Sequence, residues 1–388
     1  MHCDFDQLVD RRGTDSDKWC EYDGDVLPLW VADMDFRSPE PVIQALRQRV
    51  EHGVFGYGIE PPALRGLIVA RLQELYGWQV QPEALLFLPG VVRGLNLACR
   101  ALASPGHGVL LQTPAYPPIL RAPANASCSA DEMQLTQGGD GRYVIDLDAF
   151  EEAITERTRV FILCNPHNPV GRVFAREELQ RMAEICLRHN VVICSDEIHC
   201  DFVYRGERHI PIGSLDAEVG DHTITLMAPS KSYNIAGLHF GVAVVPNKEL
   251  RDRVWAARNG LLGEPDILSC TAALAAYRDG QEWLDEVLSY LEDNRDFTFE
   301  YVRDHLPGIS MARPEGTYLA WLDCRRAAIP GNPHKFFLEK ARVALNDGPE
   351  YGKGGEGFVR LNFGCPRATL AEALRRMEEA LAAVAACQ

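Results

Sequence analysis

The stretch Thr223-Ile224-Thr225-Leu226-Met227-Ala228-Pro229-Ser230-Lys231-Ser232-Tyr233-Asn234 joins a short apolar run to a turn that carries a lysine. The first five residues are β-branched or apolar and read as a buried strand, which the following proline closes. An amine at the carboxyl end of such a strand is partly desolvated, which favours its neutral, nucleophilic form. The chain has six lysines among 39 basic residues, and Lys18, Lys248, Lys335, Lys340 and Lys353 sit in contexts that read as polar or helical surface. Lys231 is therefore the candidate for Schiff-base chemistry.

Working outward, similar apolar runs at 85–88, 109–111, 160–163, 191–194 and 241–245 read as further buried parallel strands. Helical patterns lie between most of them, such as 176–189 with Leu179, Met182, Ala183 and Cys186 on one face. This alternation predicts an α/β fold with a mainly parallel central sheet covered on both faces. After about residue 264 the pattern changes. A helical stretch carries Trp283, Leu284, Val287, Leu288 and Leu291, and alternating strand candidates follow at 317–322 and 358–363. An amphipathic helix with Leu370, Leu374, Met377, Leu381 and Val384 closes the chain. The expected organisation is a large domain over 46–280 and a smaller α+β domain over 281–388. The N-terminal segment 1–45 is expected to pack with the small domain.

At 388 residues, 46% of them hydrophobic, the chain is long enough for about two cores. Its net charge of −16 repels phosphate backbones and anionic lipid, so nucleic acid and membrane are not expected partners. An anionic ligand must then be held by local backbone dipoles and a few placed cations. Met1 to Arg12 is polar and lacks the apolar core of a signal peptide, and no apolar run approaches the roughly 18 residues of a membrane span. The twelve cysteines are scattered with no CxxC pair. Free thiols in a reducing cytoplasm are expected, with neither a zinc site nor a thioredoxin-like motif.

Ligands of open α/β sheets gather at the carboxyl ends of strands. The 85–88 run enters Pro89-Gly90-Val91-Val92-Arg93-Gly94, a glycine turn before a helix start near Val91 and so a possible phosphate cradle. The next run ends in Thr113-Pro114-Ala115-Tyr116, where the tyrosine is either loop packing or a plate for a flat ligand. Asn165-Pro166-His167-Asn168-Pro169-Val170-Gly171 follows the third run, and Asn168 offers both a donor and an acceptor. Asp196 follows the fourth; a carboxylate there is either a helix cap or the partner of a buried cation such as a protonated pyridine. Each motif has an ordinary structural explanation. Their joint occurrence on successive strand ends, in one order, does not.

That order resembles the fold-type I enzymes dependent on pyridoxal 5′-phosphate (PLP), the class I/II aminotransferase superfamily, over nearly the whole chain. More narrowly, Pro28-Leu29-Trp30-Val31-Ala32-Asp33-Met34-Asp35-Phe36 resembles the cystathionine β-lyase, or C–S lyase (MalY/PatB-like), branch. So do 165–169, 230–238, Pro314-Glu315-Gly316-Thr317-Tyr318 and Arg360-Leu361-Asn362-Phe363-Gly364. The resemblance implies the aspartate aminotransferase-like fold, with PLP carried on Lys231 and its phosphate bound by the amides near Val91 and Val92 and by the Ser230 hydroxyl. It implies that Tyr116 stacks on the pyridine ring and joins Lys231 in catalysis, that Asn168 bonds the phenolic oxygen, and that Asp196 pairs with the ring nitrogen. Arg360 is implied to grip the α-carboxylate of an amino-acid substrate. Tyr57, in Phe55-Gly56-Tyr57-Gly58, is implied to reach the phosphate and substrate of a neighbouring subunit, giving a homodimer with shared sites.

Two positions depart from typical transaminases: His239 stands where many have an arginine eight residues after the lysine, and His199 where many have a tyrosine. His199 is placed beside the cofactor without an assigned role. Ala228 also removes a serine that many relatives use for phosphate. The implied reaction is β-elimination from cystathionine or another S-substituted cysteine, giving a thiol, pyruvate and ammonia. An aminotransferase, or a PLP-binding regulatory protein with weak lyase activity, is the alternative.

Overall fold

The computed structural model describes residues 3–386. Seven strands form the main sheet: β1 (Leu85–Leu88), β2 (Gly108–Thr113), β3 (Ser129–Gln134), β4 (Thr158–Cys164), β5 (Val192–Asp196), β6 (Thr223–Met227) and β7 (Gly241–Val244). Their spatial order is β1-β7-β6-β5-β4-β2-β3. All run parallel except β7, which is antiparallel to both β1 and β6. The expectation that 241–245 is another parallel strand is thus corrected. The thirteen residues between β6 and β7 form only two short helical turns, Pro229–Ser232 and Ala236–Leu238, and hold no full helix of the kind that usually carries a chain back across the sheet to a parallel strand.

The strands expected from apolar runs are buried along both faces; every residue of β1 and of β6 is buried. Helix α1 (Val91–Leu102) covers one face with Leu95, Ala98 and Cys99, and α2 (Arg176–Arg188) covers the other with Leu179, Met182, Ala183 and Cys186. Strand β3 was not anticipated. Its sequence, Ser-Ala-Asp-Glu-Met-Gln, is polar because it lies at the sheet edge, where alternate side chains meet solvent.

A separate three-stranded antiparallel sheet is formed by β8 (Leu319–Asp323), β9 (Asn346–Asp347) and β10 (Phe358–Asn362), in the order β8-β10-β9. Helices α3 (Gln281–His305) and α4 (Arg367–Ala385) share one apolar core with it. Phe5, Leu29, Met34 and Phe36 belong to the same core, and Leu27–Pro28 pairs in parallel with Val343–Ala344. None of the helices among the described residues is long and apolar enough to cross a membrane.

Candidate active site

Because β1, β2, β4, β5 and β6 are parallel, their carboxyl ends lie on one edge of the sheet. A cavity of about 310 Å³ opens there. Val91, Val92, Tyr116, Asn168, Asp196, His199, Ser230 and Lys231 all line it, together with His239. The sheet has therefore brought eight of the ten expected site residues to one place. Arg360 joins them by a hydrogen bond to Asn168. Tyr57 does not: it is wholly exposed, in a segment that also exposes Val54, Phe55 and Ile59.

At the floor of the cavity Gly90 adopts φ +112°, a conformation only glycine enters without strain, and α1 starts immediately after it. The backbone of Gly241 passes so close that a Cβ there would lie 3.0 Å from the Gly90 carbonyl carbon. The leading amides of α1 have no acceptor within the helix and face the cavity. Ser230 lies beside them, but its hydroxyl donates to the Phe240 carbonyl at 3.0 Å. It must rotate away from that carbonyl to serve an anion.

Lys231 keeps some exposure through the cavity mouth while its amine is enclosed. Nζ donates to the Ala32 carbonyl at 2.5 Å, and the Tyr318 hydroxyl donates to the same oxygen at 2.9 Å. Burial pulls the amine down to about 8; Asp33 opposes that shift, Arg360 adds to it, and Asp196 opposes it more weakly. Across the cavity Asp196 is 3% exposed, and among the described residues its carboxylate has one hydrogen bond, 3.2 Å from the Ile198 amide to Oδ1. Burial pushes this carboxyl up to about 6, against the pull of that amide and with Glu197 adding to the rise. Glu197 itself points to the opposite side of the strand, where Ser195, His209 and the Ile212 amide satisfy it. A buried carboxylate with one weak donor is short of a cationic partner.

Arg360, 3% exposed on β10, donates from Nη1 to Asn168 Oδ1 (3.0 Å) and from Nη2 to the Trp30 carbonyl (2.7 Å) and Asn346 Oδ1 (2.6 Å). Of five guanidinium N–H groups three are used; Nε and one hydrogen on Nη1 remain, and Nε is buried without an acceptor. The bond to Arg360 also fixes the Asn168 amide, leaving its NH2 as the free donor. His199 is fully enclosed, and burial, reinforced by Lys231 and Arg360, holds it well below its ordinary value and so neutral. Its Nδ1 has no partner, and its ring packs edge-on against Tyr318. Burial likewise raises the Tyr116 hydroxyl, which stays protonated.

These donors fit a flat, anionic pyridine phosphate. Leading helix amides suit its phosphate, the underpaired carboxylate suits a protonated ring nitrogen, and the depressed amine suits a carbonyl carbon.

One surface assignment is corrected. Lys18 is 1% exposed and bonds Asp35 at 2.7 Å, because Asp33 and Asp35 in the turn 33–35 supply the charge that lets an ammonium be buried. Sequence reasoning also missed Ala32, Cys164, Ile198, Ala236 and Arg93 as cavity-lining residues. The only signal for Ala32 was the motif around it, which reads as an irregular segment without periodicity. All eleven cysteines among the described residues are free; Cys387 lies outside them.

The sequence pattern of the family "Aminotransferase class I and II" matches residues 24–377. The chain belongs to that family. Within it, this family member is similar to the cystathionine beta-lyase PatB of Bacillus subtilis (strain 168), at 40% identity over 97% of this chain and 99% of the relative. It is 34% identical to Protein MalY of Escherichia coli (strain K12), over 98% and 99% of the two chains. Among solved structures, OvoB superposes with a TM-score of 0.93 at 46% identity, covering 97% of this chain and 99% of the other. Cystalysin from Treponema denticola, which contains a PLP cofactor, superposes with a TM-score of 0.94 at 31% identity, covering 99% and 100%.

Proposed function

We propose that this aminotransferase-family chain is a PLP-dependent C–S β-lyase that takes cystathionine or a related S-substituted cysteine to a thiol, pyruvate and ammonia. The observation that carries the reading is one cavity lined by a pKa-depressed amine, Lys231, and an underpaired buried carboxylate, Asp196, with Arg360, an arginine with two N–H groups to spare, bonded to Asn168 in its wall. The likeness to PatB, a cystathionine beta-lyase over nearly its full length, supports the reaction class.

Bound here, PLP supplies an electron sink for negative charge at the substrate α-carbon. The residues supply the rest. Lys231 would hold the cofactor through its carbonyl carbon, and its Nζ would be the base that takes the substrate's α-proton. An amine that titrates near 8 is a competent base near neutral pH. Asp196 keeps a proton on the ring nitrogen, and that cation in turn satisfies the carboxylate. The NH2 of Asn168 would serve the phenolic oxygen, Tyr116 would support the ring, and the amides of Val91 and Val92 with the Ser230 hydroxyl would take the phosphate. Arg360 takes the substrate carboxylate through Nε and the free Nη1 hydrogen. The β C–S bond would then break with its electron pair leaving on sulfur, which takes up a proton as thiol, and water would hydrolyse the three-carbon enamine left behind to pyruvate and ammonia.

The exposed apolar run from Val50 through Ile59 supports a homodimer in which Tyr57 completes the partner's site. Free thiols throughout support a cytoplasmic enzyme.

The test is to incubate the holoenzyme with L-cystathionine and no added oxo acid. Thiol and pyruvate released in equal amounts are expected. Amino transfer that proceeds only when an oxo acid is supplied would establish an aminotransferase instead.

A further inference from the structure

The turn that carries Ala32 is held by charges from a part of the chain that contributes nothing to the cavity. Arg11 grips Asp33 with both terminal nitrogens, at 3.2 and 2.6 Å, and reaches Asp35 at 2.7 Å. Lys18 bonds the second Asp35 oxygen at 2.7 Å, and the Trp19 indole donates to Asp35 at 2.8 Å. On the opposite side Asn362 donates to the Val31 and Asp33 carbonyls at 2.6 and 2.7 Å. Asn234, three residues after Lys231, bonds the Met34 amide and the Met34 and Phe36 carbonyls. A turn fixed from three directions delivers one carbonyl to the Lys231 amine.

We infer that Arg11, Lys18, Asp33 and Asp35 form a positioning device for Lys231, in which Arg11 and Lys18 seat the turn and the Asp33 carboxylate serves as the amine's counter-charge. The inference rests on the reading of Lys231 as the reactive amine. A buried ion pair is costly unless both members are well bonded; Lys18 and Asp35 are the buried pair here, and the partly exposed Arg11 adds a second cation to Asp35. The position of this network at the Ala32 turn gives it a use beyond holding the N-terminus. Among the described residues, the charged or titratable groups around the Lys231 amine are Asp33 from this turn, Asp196 and His199 from the end of β5, Arg360 from β10, Tyr318 on the same Ala32 oxygen, and Tyr116, Cys164 and His239 in the cavity wall. Asp33 directly follows Ala32, whose carbonyl takes the Lys231 amine, its charge favours the protonated amine, and Arg11 is bonded to both oxygens of that carboxylate. Arg11, Lys18, Asp33 and Asp35 do not line the cavity and act on it through the turn.

Charge and mere support make opposite predictions. Asp33→Asn removes the anion and lowers the titration midpoint of Lys231 by about one pH unit, the low end for an opposite charge nearby. Arg11→Gln removes a cation and unmasks Asp33, so the midpoint rises. A scaffold that only loosened would move both variants the same way. With six lysines in the chain, reductive methylation with isotopically labelled formaldehyde gives few enough NMR signals to follow each against pH, and the Lys231→Ala chain assigns the one that matters. The measurement uses the full chain without cofactor, so its failure is separable from absence of lyase activity. Shifts of opposite sign support the device. Shifts of the same sign, or an unmoved midpoint in Arg11→Gln, overturn it; Asp33→Ser, which also removes the anion, takes the place of Asp33→Asn if that chain does not fold.

Discussion

Asp196→Asn should stabilise the cofactor-free chain while damaging the loaded one. The carboxyl is lifted from an ordinary 3.8 to about 6 by burial, close to two pH units. At about 1.4 kcal/mol per unit, ionising it inside the fold costs on the order of 3 kcal/mol. Asparagine keeps the shape and the Ile198 amide bond without the charge, so the variant should gain about 1–3 kcal/mol at pH 7. The sign follows from linkage. A folded-state pKa above the unfolded one means the folded chain binds more protons between about 4 and 6. Wild-type stability relative to the variant is therefore full below pH 4, falls as pH rises through 6, and is constant above. Urea midpoints of both cofactor-free chains from pH 4 to 7.5 read this directly, because the difference cancels every other titrating group. With PLP bound, the ring cation pairs with Asp196, so the variant should instead lose turnover heavily. A difference in midpoint that does not change with pH, or a variant less stable at pH 7, would refute the burial argument.

Arg360→Lys replaces a five-donor fork by a point charge, so amino-acid affinity should fall by about 1.5–3 kcal/mol while the PLP absorbance persists; unchanged affinity for every amino acid tested would move the carboxylate site elsewhere. For Tyr57, mixing inactive Lys231→Ala subunits with impaired Tyr57→Phe subunits should restore part of the activity, since a mixed dimer has one site with both lesions and one with neither. No recovery after verified subunit exchange would separate Tyr57 from the partner's site.

The sheet and the cavity were legible because buried parallel strands are written as unbroken apolar runs, and their shared direction puts Tyr116, Asn168, Asp196 and Lys231 on one edge. Direction itself is not written in such a run, so β7 read as parallel. The polar edge strand β3 carries no apolar signal to find it by. Lys18 looked like surface because its partners, Asp33 and Asp35, are separated from it by an irregular segment whose path no periodicity reveals. The same segment brings the Ala32 carbonyl to Lys231 across nearly 200 residues of sequence, and only the fold shows that contact. Asp196 was legible as the acid at the strand end, and strand alternation turns its neighbour Glu197 to the other side.

The central claim is that Lys231 is the amine that holds PLP. Reducing the holoenzyme with borohydride and locating the fixed cofactor by peptide mass spectrometry tests it in one step. The account predicts the adduct on Lys231 alone and its loss in Lys231→Ala; a reduced adduct on Lys18, Lys248, Lys335, Lys340 or Lys353 would contradict it.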